Sequence, residues 1–347
     1  MLRSMRLMQL KRKYALLWKQ PTLPELEPGT LDPDYGLLDT LESHYQRRAD
    51  ELPLHKKTPR RLRSDERMQA LVHHQFAAPI PAIADIWNEN IPSNNGEVPV
   101  RIYLPDGRGP YPITLFLYKG GWVSGDLDTA HASAAIIAHK TGHVVITIDT
   151  RKAPEFPFPA ALQDCYTVLQ WAANEKNALP MRGDAAKISV IGEGTGGNLA
   201  AALCLYTRDR QGPQITAQVL IDPVLDLLHS DLLSISETRI HSAVSIEDLK
   251  FFIQQYIQDP LLSTDPLVSP LHSEDMSGLP ATILALSEFN PLIPQGKEFA
   301  EKLQSAGIST EVLSANGLRP DFFSQQHLLP RANQAGSNIL DKLSESI

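Results

Sequence analysis

The sequence has few cysteines and no long apolar segment, and these two features exclude several classes of protein. Only Cys165 and Cys204 occur among the 347 residues. Both lie in apolar helical patterns, where buried free thiols are expected and a disulfide is the less favoured alternative. No apolar run reaches the length of a membrane span, and the first residues lack the continuous apolar region of a signal peptide. We therefore expect a cytoplasmic protein without a membrane span.

Basic residues are also too few for a nucleic-acid-binding protein. Lysine and arginine total 32 against 40 acidic residues, which gives a net charge of -8. The electrostatic attraction on which nucleic-acid binding depends is therefore missing. His131, His327 and the other histidines do not form a metal-site motif. We expect no metal and no other cofactor.

The pattern of apolar residues predicts the α/β class. From about residue 83 onward, apolar segments of strand length alternate with helical patterns, which is typical of a mostly parallel sheet with helices on both faces. Residues 1–80 have helical spacing and predict an N-terminal helical cap segment. For the basic residues 1–20, a helix packing on the core is favoured over a membrane-surface helix. The core is expected at 81–347, with a helical cap insertion at about 227–268.

One stretch has the form of a hydrolase nucleophile site but lacks its nucleophile. An apolar, β-branched segment at 188–191 is followed by Gly-Glu-Gly-Thr-Gly at 192–196 and then by a helical pattern of small and apolar residues. A strand, a sharp turn and a helix form the Gly-x-Ser-x-Gly elbow, in which the central serine stands at the tip of the turn. Here the central residue is Gly194.

Several motifs, taken together, resemble the hormone-sensitive-lipase-like (carboxylesterase) branch of the α/β-hydrolase fold, over about residues 80–340. They occur in the expected order as Gly120-Gly121-Trp122 with Gly125-Asp126, Ala-Pro-Glu-Phe-Pro-Phe-Pro-Ala at 153–160, Gly-Gly-Asn-Leu-Ala at 196–200, Asp-Pro-Leu-Val-Ser-Pro-Leu at 265–271, and Ser-Gly-Leu-Pro at 277–280. The resemblance implies an α/β-hydrolase fold with a mostly parallel central sheet, helices on both faces and a helical cap.

The same resemblance implies that the catalytic triad is missing. Gly194 holds the serine position, Asn290 the acid position, and Pro320, before Asp321 and Phe322, the histidine position. Glycine, an amide and proline cannot serve as nucleophile, orienting acid and base. The chain is therefore identified as a degenerate member of the branch that lacks the Ser-Asp-His triad, and we expect no serine-type ester hydrolysis by the usual route.

The resemblance places the family's oxyanion loop at Gly120-Gly121-Trp122 with Gly125-Asp126. A pocket around this oxyanion loop remains the expected site. Backbone N–H groups of Gly120, Gly121 and Thr195 would still polarise a carbonyl. The candidate catalytic residues are Tyr118, Lys119, Thr195 and Asp321. The candidate substrate-binding residues are Gly120, Gly121, Trp122, Gly194, Asn290 and Phe322.

Three of the polar residues near the elbow have alternative interpretations. The Thr195 side chain is expected to point away from the tip, which disfavours it as a displaced nucleophile. Lys119 either offers a cation to a carbonyl, pairs with Asp321 or extends into solvent. Glu193 is interpreted as a buried, hydrogen-bonded carboxyl and only secondarily as a base.

Three functions are compatible with such a site. The favoured one is a non-hydrolytic enzyme of secondary-metabolite biosynthesis, a cyclase or isomerase. Its most specific version is an enzyme that catalyses an intramolecular cycloaddition (a Diels–Alderase). A catalytically inactive small-ligand receptor or binding protein comes second, and a structural pseudoenzyme with a collapsed pocket comes third. The expected partner is a small hydrophobic molecule, and a homodimer is among the expected assemblies.

Overall fold

Eight strands form a single, mostly parallel sheet in the computed structural model, which describes residues 2–19, 22–45, 52–228 and 245–347. Their order across the sheet is β1-β2-β4-β3-β5-β6-β7-β8. The strands are β1 Asp85–Ser93, β2 Gly96–Leu104, β3 Tyr111–Leu117, β4 Val144–Ile148, β5 Gly183–Glu193, β6 Ala217–Ile221, β7 Ala281–Ser287 and β8 Thr310–Ala315. Only the pairings of β1 with β2 and of β2 with β4 are antiparallel among these strands.

Ten helices surround this sheet in the described part of the chain. They are α1 Leu2–Leu17, α2 Tyr35–Tyr45, α3 Pro59–His74, α4 His131–Thr141, α5 Ala160–Ala172, α6 Glu175–Ala178, α7 Thr195–Asp209, α8 Ile246–Tyr256, α9 Ile293–Ser305 and α10 Pro330–Ser346. The prediction of an α/β fold with a mostly parallel sheet and helices on both faces is confirmed. None of the described helices combines the length and the apolar character needed to cross a bilayer.

The two faces of the sheet form two separate hydrophobic clusters. Successive strand residues point to opposite faces, so Leu115 and Leu117 lie in one cluster and Phe116 lies in the other. Helices α5, α7 and α9 cover the first face, and α4 and α10 cover the second. Strands β3, β4 and β6 are buried along almost their whole length, as expected for parallel strands covered on both sides.

The N-terminal helices pack on the second face of the sheet. Tyr14 of α1 is buried, and its ring contacts Phe76 edge-on with the centroids 5.6 Å apart. Within the predicted helical segment 1–80, α2 is described up to Tyr45, and residues 46–51 lie outside the described part. The predicted domain boundaries at 1–80 and 81–347 stay predictions.

Helix α8 belongs to the predicted cap insertion and lies against the oxyanion loop. Its N-terminus has a capping box, in which Ser245 and Asp248 each bond the other's backbone N–H group. Asp248 also accepts hydrogen bonds from the backbone and the ring of His55, each at 2.8 Å. This contact ties α8 to the segment before α3. Residues 229–244 of the predicted insertion lie outside the described part.

The structure differs from the predicted elements at two places. Strand β5 begins at Gly183, five residues before the predicted strand at 188–191, because the start of the strand has no apolar pattern. Helix α10 was not predicted. Its buried residues, which include Ala332, Ile339 and Leu343, follow helical spacing on one face only.

Candidate active site

The elbow lies at the junction of β5 and α7. Gly194 joins the two elements with φ 57° and ψ -115°, a left-handed conformation that favours glycine. Its N–H group donates to the carbonyl oxygen of Ile221 at 2.8 Å, and its carbonyl oxygen accepts from the N–H groups of Asn198 and Val224. Backbone hydrogen bonds therefore fix the turn, whatever side chain stands at its tip.

The glycines beside the tip are required by packing, whereas the tip is not crowded. A Cβ atom on Gly192 would lie 2.2 Å from the carbonyl oxygen of Gly196, and one on Gly196 would lie 2.0 Å from the carbonyl oxygen of Leu117. A Cβ atom on Gly194 would meet the Cβ atom of Lys119 at 3.6 Å, which is an ordinary van der Waals contact. The elbow thus keeps room for a small side chain at its tip.

The oxyanion loop, residues 118–126, follows β3 and faces the elbow. Gly120, Gly121 and Trp122 have φ values of 148°, 63° and 59°, so the backbone turns sharply over three successive residues. A Cβ atom on Gly121 would lie 2.3 Å from the ring of Phe252 in α8. The cap helix therefore rests directly on the loop, and a side chain at 121 would separate them.

The Thr195 hydroxyl engages one of the expected backbone donors. The N–H group of Gly121 donates to Thr195 Oγ1 at 3.0 Å. The side chain was expected to point away from the tip, but it reaches the oxyanion loop instead. The N–H groups of Gly120 and Thr195 have no acceptor within the part of the chain that the structure describes. Two of the three expected donors are therefore open, and the third is bonded to the protein itself.

The two aromatic residues of the loop are held by contacts within the protein. The Tyr118 hydroxyl donates to Asp149 Oδ1 at 2.9 Å, and the same carboxylate accepts from Lys152. Trp122 is buried and stacks on Tyr256 of α8, with the ring centroids 4.3 Å apart and the planes 6° from parallel. For a substrate to receive the Tyr118 proton, the bond to Asp149 would have to break.

Lys119 forms an ion pair with Asp321 beside the elbow. Its Nζ atom lies 2.7 Å from Asp321 Oδ2, and the two side chains are 30% and 23% exposed. Desolvation acts to lower the pKa of Lys119, but the nearby carboxylates of Asp321 and Glu193 outweigh it and raise this pKa to about 12. Of the orientations considered for Lys119, the structure has the one that pairs with Asp321.

Glu193 immediately precedes the tip and is almost fully buried. Its Oε1 atom accepts from the backbone N–H group of Ser324 at 2.9 Å, and its Oε2 atom has no partner among the described residues. Burial raises the pKa of Glu193 to about 7, although the charge of Lys119 opposes this. A carboxyl group with this pKa is suited to accept a proton near neutral pH.

Glu66 of α3 is a further charged group at the site that sequence reasoning missed. Burial raises its pKa, which a hydrogen bond with Ser124 and the charge of Lys119 oppose. Nothing in the helical pattern of residues 59–74 distinguishes Glu66 from a solvated charge, because its proximity to Lys119 arises only from the tertiary fold. Glu66, Lys119, Glu193 and Asp321 are referred to below as the charged cluster.

Asn290 and Phe322, which were predicted to bind substrate, lie in the interior of the protein. Asn290 Nδ2 donates to Asp222 Oδ1 at 2.6 Å, and its Oδ1 atom accepts from the N–H group of Leu292 at 2.8 Å. Burial raises the pKa of Asp222 to about 6, against hydrogen bonds from Ser287 and Asn290. Phe322 is fully buried in the second hydrophobic cluster. Both side chains are engaged by the protein in this structure, and their assignment as substrate-binding residues stays a prediction.

Neither a metal centre nor a disulfide is formed by the described residues. No group of three or more histidine, cysteine, aspartate or glutamate side chains is placed to hold a metal ion there. Cys165 and Cys204 are free and buried, and burial raises the pKa of both thiols. Their thiolate forms are disfavoured, so neither is a ready nucleophile.

The strand order, the elbow and the facing glycine-rich loop together define an α/β-hydrolase. A family model for the α/β hydrolase fold matches residues 114–324. The carboxylic ester hydrolase LipN of Mycobacterium tuberculosis is 34% identical over 274 residues, which are 76% of this chain and 71% of LipN. An arylesterase of Saccharolobus solfataricus is 33% identical over 70% of this chain and 78% of its own length.

A solved structure agrees with this assignment. The hyperthermophilic esterase from the archaeon Pyrobaculum calidifontis superposes with a TM-score of 0.80 at 26% identity, over 91% of this chain and 98% of the esterase. The chain belongs to the hormone-sensitive-lipase-like carboxylesterase family of the α/β-hydrolase fold.

These relatives overturn the functional prediction from the sequence. A non-hydrolytic cyclase or isomerase, with cycloaddition as its sharpest form, was favoured, and a ligand receptor was the alternative. Both are wrong, because the relatives at 29–34% identity are named carboxylesterases, arylesterases and ethyl acetate hydrolase. The placement outside the serine-hydrolase family is wrong for the same reason, since the chain belongs to a family of carboxylesterases. Family membership does not change the residue at the tip of the elbow, which is glycine in this chain.

Proposed function

We propose that this protein hydrolyses carboxylic esters of small hydrophobic molecules at the elbow. The observation that carries the proposal is the uncrowded tip of the turn at Gly194, which faces the two open backbone donors of Gly120 and Thr195. A carbonyl group held by these donors would present its carbon atom to the tip. The esterase relatives support an ester as the substrate class.

We further infer that this member of the family lacks the Ser-His-acid triad. The family motifs place Gly194, Pro320 and Asn290 at the three positions. The φ of 75° at Asp321 supports this alignment, because Asp321 then follows the histidine position where the family motif has glycine. None of the three residues can attack a carbonyl or accept a proton from a nucleophile. The attacking group is therefore water.

In this proposal, a water molecule above Gly194 is the nucleophile and Glu193 is its base. The water oxygen adds to the carbonyl carbon while one of its protons passes to the Glu193 carboxylate. When the tetrahedral intermediate collapses, the bond to the alcohol oxygen breaks and that oxygen takes the proton. Glu193 suits this role better than Asp321, because its pKa is about 7 and its Oε2 atom has no partner among the described residues. The Asp321 carboxylate is bonded to Lys119.

Lys119 contributes charge in this proposal rather than a proton. Its pKa of about 12 keeps it an ammonium group at neutral pH. Its Cβ atom borders the tip of the elbow, so the positive charge stands near the oxygen that becomes negative during attack. An ammonium group in a partly desolvated site stabilises such a developing charge.

The test is to rebuild the triad and compare ester turnover. Wild-type turnover of nitrophenyl butyrate should exceed the uncatalysed rate but lie on the order of 10⁶-fold below that of a triad-bearing relative, the loss seen when a triad serine or histidine is removed. Gly194→Ser alone should not raise it, because base and acid are still missing. The triple variant Gly194→Ser, Asn290→Asp, Pro320→His should raise it by at least about 10³-fold.

A matched control separates chemistry from backbone strain. Gly307 also has a positive φ, 77°, with no atom within 4 Å of a Cβ placed on it, so Gly307→Ser adds the same side chain at another positive-φ glycine, outside the elbow. Wild-type turnover no faster than the uncatalysed rate would reject the water mechanism. Full activity in Gly194→Ser alone would reject the inferred loss of the other two triad members.

A cytoplasmic location and a homodimer are further proposals. The first is supported by the two free, buried thiols, which are typical of proteins in a reducing compartment. Cell fractionation tests the first, and light scattering coupled to size-exclusion chromatography tests the second.

A further inference from the structure

We propose that the Thr195 hydroxyl occupies the oxyanion position of the resting protein, so that an ester must displace it to reach the N–H group of Gly121. Thr195 is then a positioning residue that controls access to one donor. This inference rests on the proposed ester hydrolysis, because it identifies the oxyanion position of that same site.

The geometry places the hydroxyl oxygen where a substrate oxygen would bind. Thr195 Oγ1 lies 3.0 Å from the Gly121 nitrogen, within hydrogen-bond distance. The Thr195 backbone N–H group, on the same residue, has no acceptor among the described residues. The side chain therefore stands beside both donors, and a carbonyl oxygen cannot accept from Gly121 while Oγ1 does.

The threonine side chain, and not the loop, is the part that can move. Gly121 has a φ of 63° and is held from the other side by Phe252, which lies 2.3 Å from a Cβ placed on this glycine. The loop thus has no room to retreat toward α8. A threonine in a helix populates two χ1 rotamers, so rotation about χ1 is enough to release the Gly121 N–H group.

The expected change in ligand affinity follows from replacing one acceptor of the Gly121 N–H group, Thr195 Oγ1, by another, the ligand oxygen. A neutral hydrogen bond contributes about 2- to 10-fold to an equilibrium, so displacing Oγ1 should weaken ligand binding by about that factor. An anionic oxygen accepts more strongly than a hydroxyl. Displacement is therefore easiest for a ligand that carries negative charge at this position.

Three substitutions at 195 separate the contributions of the hydroxyl and of its bulk. Thr195→Ala removes both, Thr195→Ser keeps the acceptor, and Thr195→Val keeps the bulk without the acceptor. The probe is butylphosphonate, a non-reacting tetrahedral anion, titrated against the full-length protein. The readouts are the dissociation constant and the ¹⁵N–¹H chemical shift of the Gly121 amide, with kcat/KM for nitrophenyl butyrate measured in parallel.

We expect Thr195→Ala to bind butylphosphonate about 2- to 10-fold more tightly than wild type. Thr195→Ser should remain within about twofold, and Thr195→Val should bind no more tightly than wild type. Without ligand, the Gly121 amide proton should shift upfield in the alanine variant. Equal or weaker binding by Thr195→Ala would overturn the proposal and indicate that the hydroxyl assists the ligand. Binding of butylphosphonate requires no turnover. If the wild-type protein does not hydrolyse esters but Thr195→Ala still binds butylphosphonate more tightly, the proposed hydrolysis is rejected and the proposed role of Thr195 stands.

Discussion

At the residue scale, the chemistry of the site depends on a buried carboxyl group beside a single cation. Glu193 is 1% exposed and lies next to Lys119, so burial and the ammonium charge act in opposite directions on its pKa. Burial has the larger effect, which leaves the pKa at about 7. A solvated glutamate would be almost fully ionised at neutral pH and a poorer base.

Glu193→Gln should remove the pH dependence of ester hydrolysis. In the wild type, kcat for nitrophenyl butyrate should rise as pH increases through about 7, because the base must be deprotonated. The glutamine variant should lose this rise and about 10² or more of the rate, a loss typical of a missing general base. The pH-rate profile of both proteins, corrected for the uncatalysed reaction, is the measurement.

Glu66→Gln is the matched control for this profile. Glu66 belongs to the same charged cluster and burial also raises its pKa, but it lies on α3 rather than beside the elbow tip. Its variant should keep the rise through about pH 7. If Glu193→Gln kept the rise and Glu66→Gln lost it, the base would be Glu66 instead.

At the element scale, the close approach of β3, β5 and α7 imposes glycine more strictly than the elbow tip does. The Gly192 and Gly196 positions lack space for a Cβ atom, because backbone atoms lie within 2.2 Å. At Gly194 the space exists and only the backbone conformation is costly. Glycine is therefore required at 192 and 196 for lack of space, and it is favoured at 194 by the backbone conformation.

This difference predicts unequal costs for two alanine substitutions. Gly194→Ala should reduce the free energy of unfolding by about 1–3 kcal/mol, the cost of a side chain in a rarely populated backbone conformation. Gly196→Ala should cost more than about 4 kcal/mol or prevent folding, because its Cβ would overlap a carbonyl oxygen. Urea unfolding followed by circular dichroism measures both. Equal losses in the two variants would contradict the packing argument.

At the scale of the whole molecule, the alternation of strands and helices was enough to predict the fold. The apolar strands at 113–117 and 217–221 lie within one residue or two of the observed β3 and β6. Such strands are buried on both faces, so their composition alone carries the signal. The elbow could be placed for a similar reason, because its flanking glycines, Gly192 and Gly196, are required by local packing.

The arrangement of the site could not be predicted in the same way. Glu66 and Phe252 reach the site from segments distant in sequence, and no local pattern indicates where they meet. The direction of the Thr195 side chain depends on one hydrogen bond to the opposing loop. Asn290 is buried because Asp222 lies beneath it. Side-chain contacts between distant segments determine each of these features, and such contacts cannot be predicted from the local pattern of a single sequence.

The stability of the whole protein should also depend on the ionisation of Glu193. Its pKa is about 7 in the folded state and 4.5 as its ordinary value, so between these values the folded protein holds a proton that the unfolded chain releases. The contribution of Glu193 to the free energy of unfolding therefore falls as pH rises across this window and is constant above it. The glutamine of Glu193→Gln does not titrate. Its side-chain amide has nearly the same shape as the carboxyl group and would stand where Oε2 has no partner among the described residues.

We therefore expect the stability of Glu193→Gln, relative to wild type, to increase as pH rises from about 4.5 to about 7. The increase should be at most about 3.5 kcal/mol, since the pKa differs by about 2.5 units and one unit corresponds to about 1.4 kcal/mol. Urea unfolding of both proteins at several pH values measures it. Carboxyl groups that do not interact with Glu193 cancel in the difference. A difference that stays constant or decreases over this window would mean that burial does not raise the pKa of Glu193, and it would remove the basis for its role as the base.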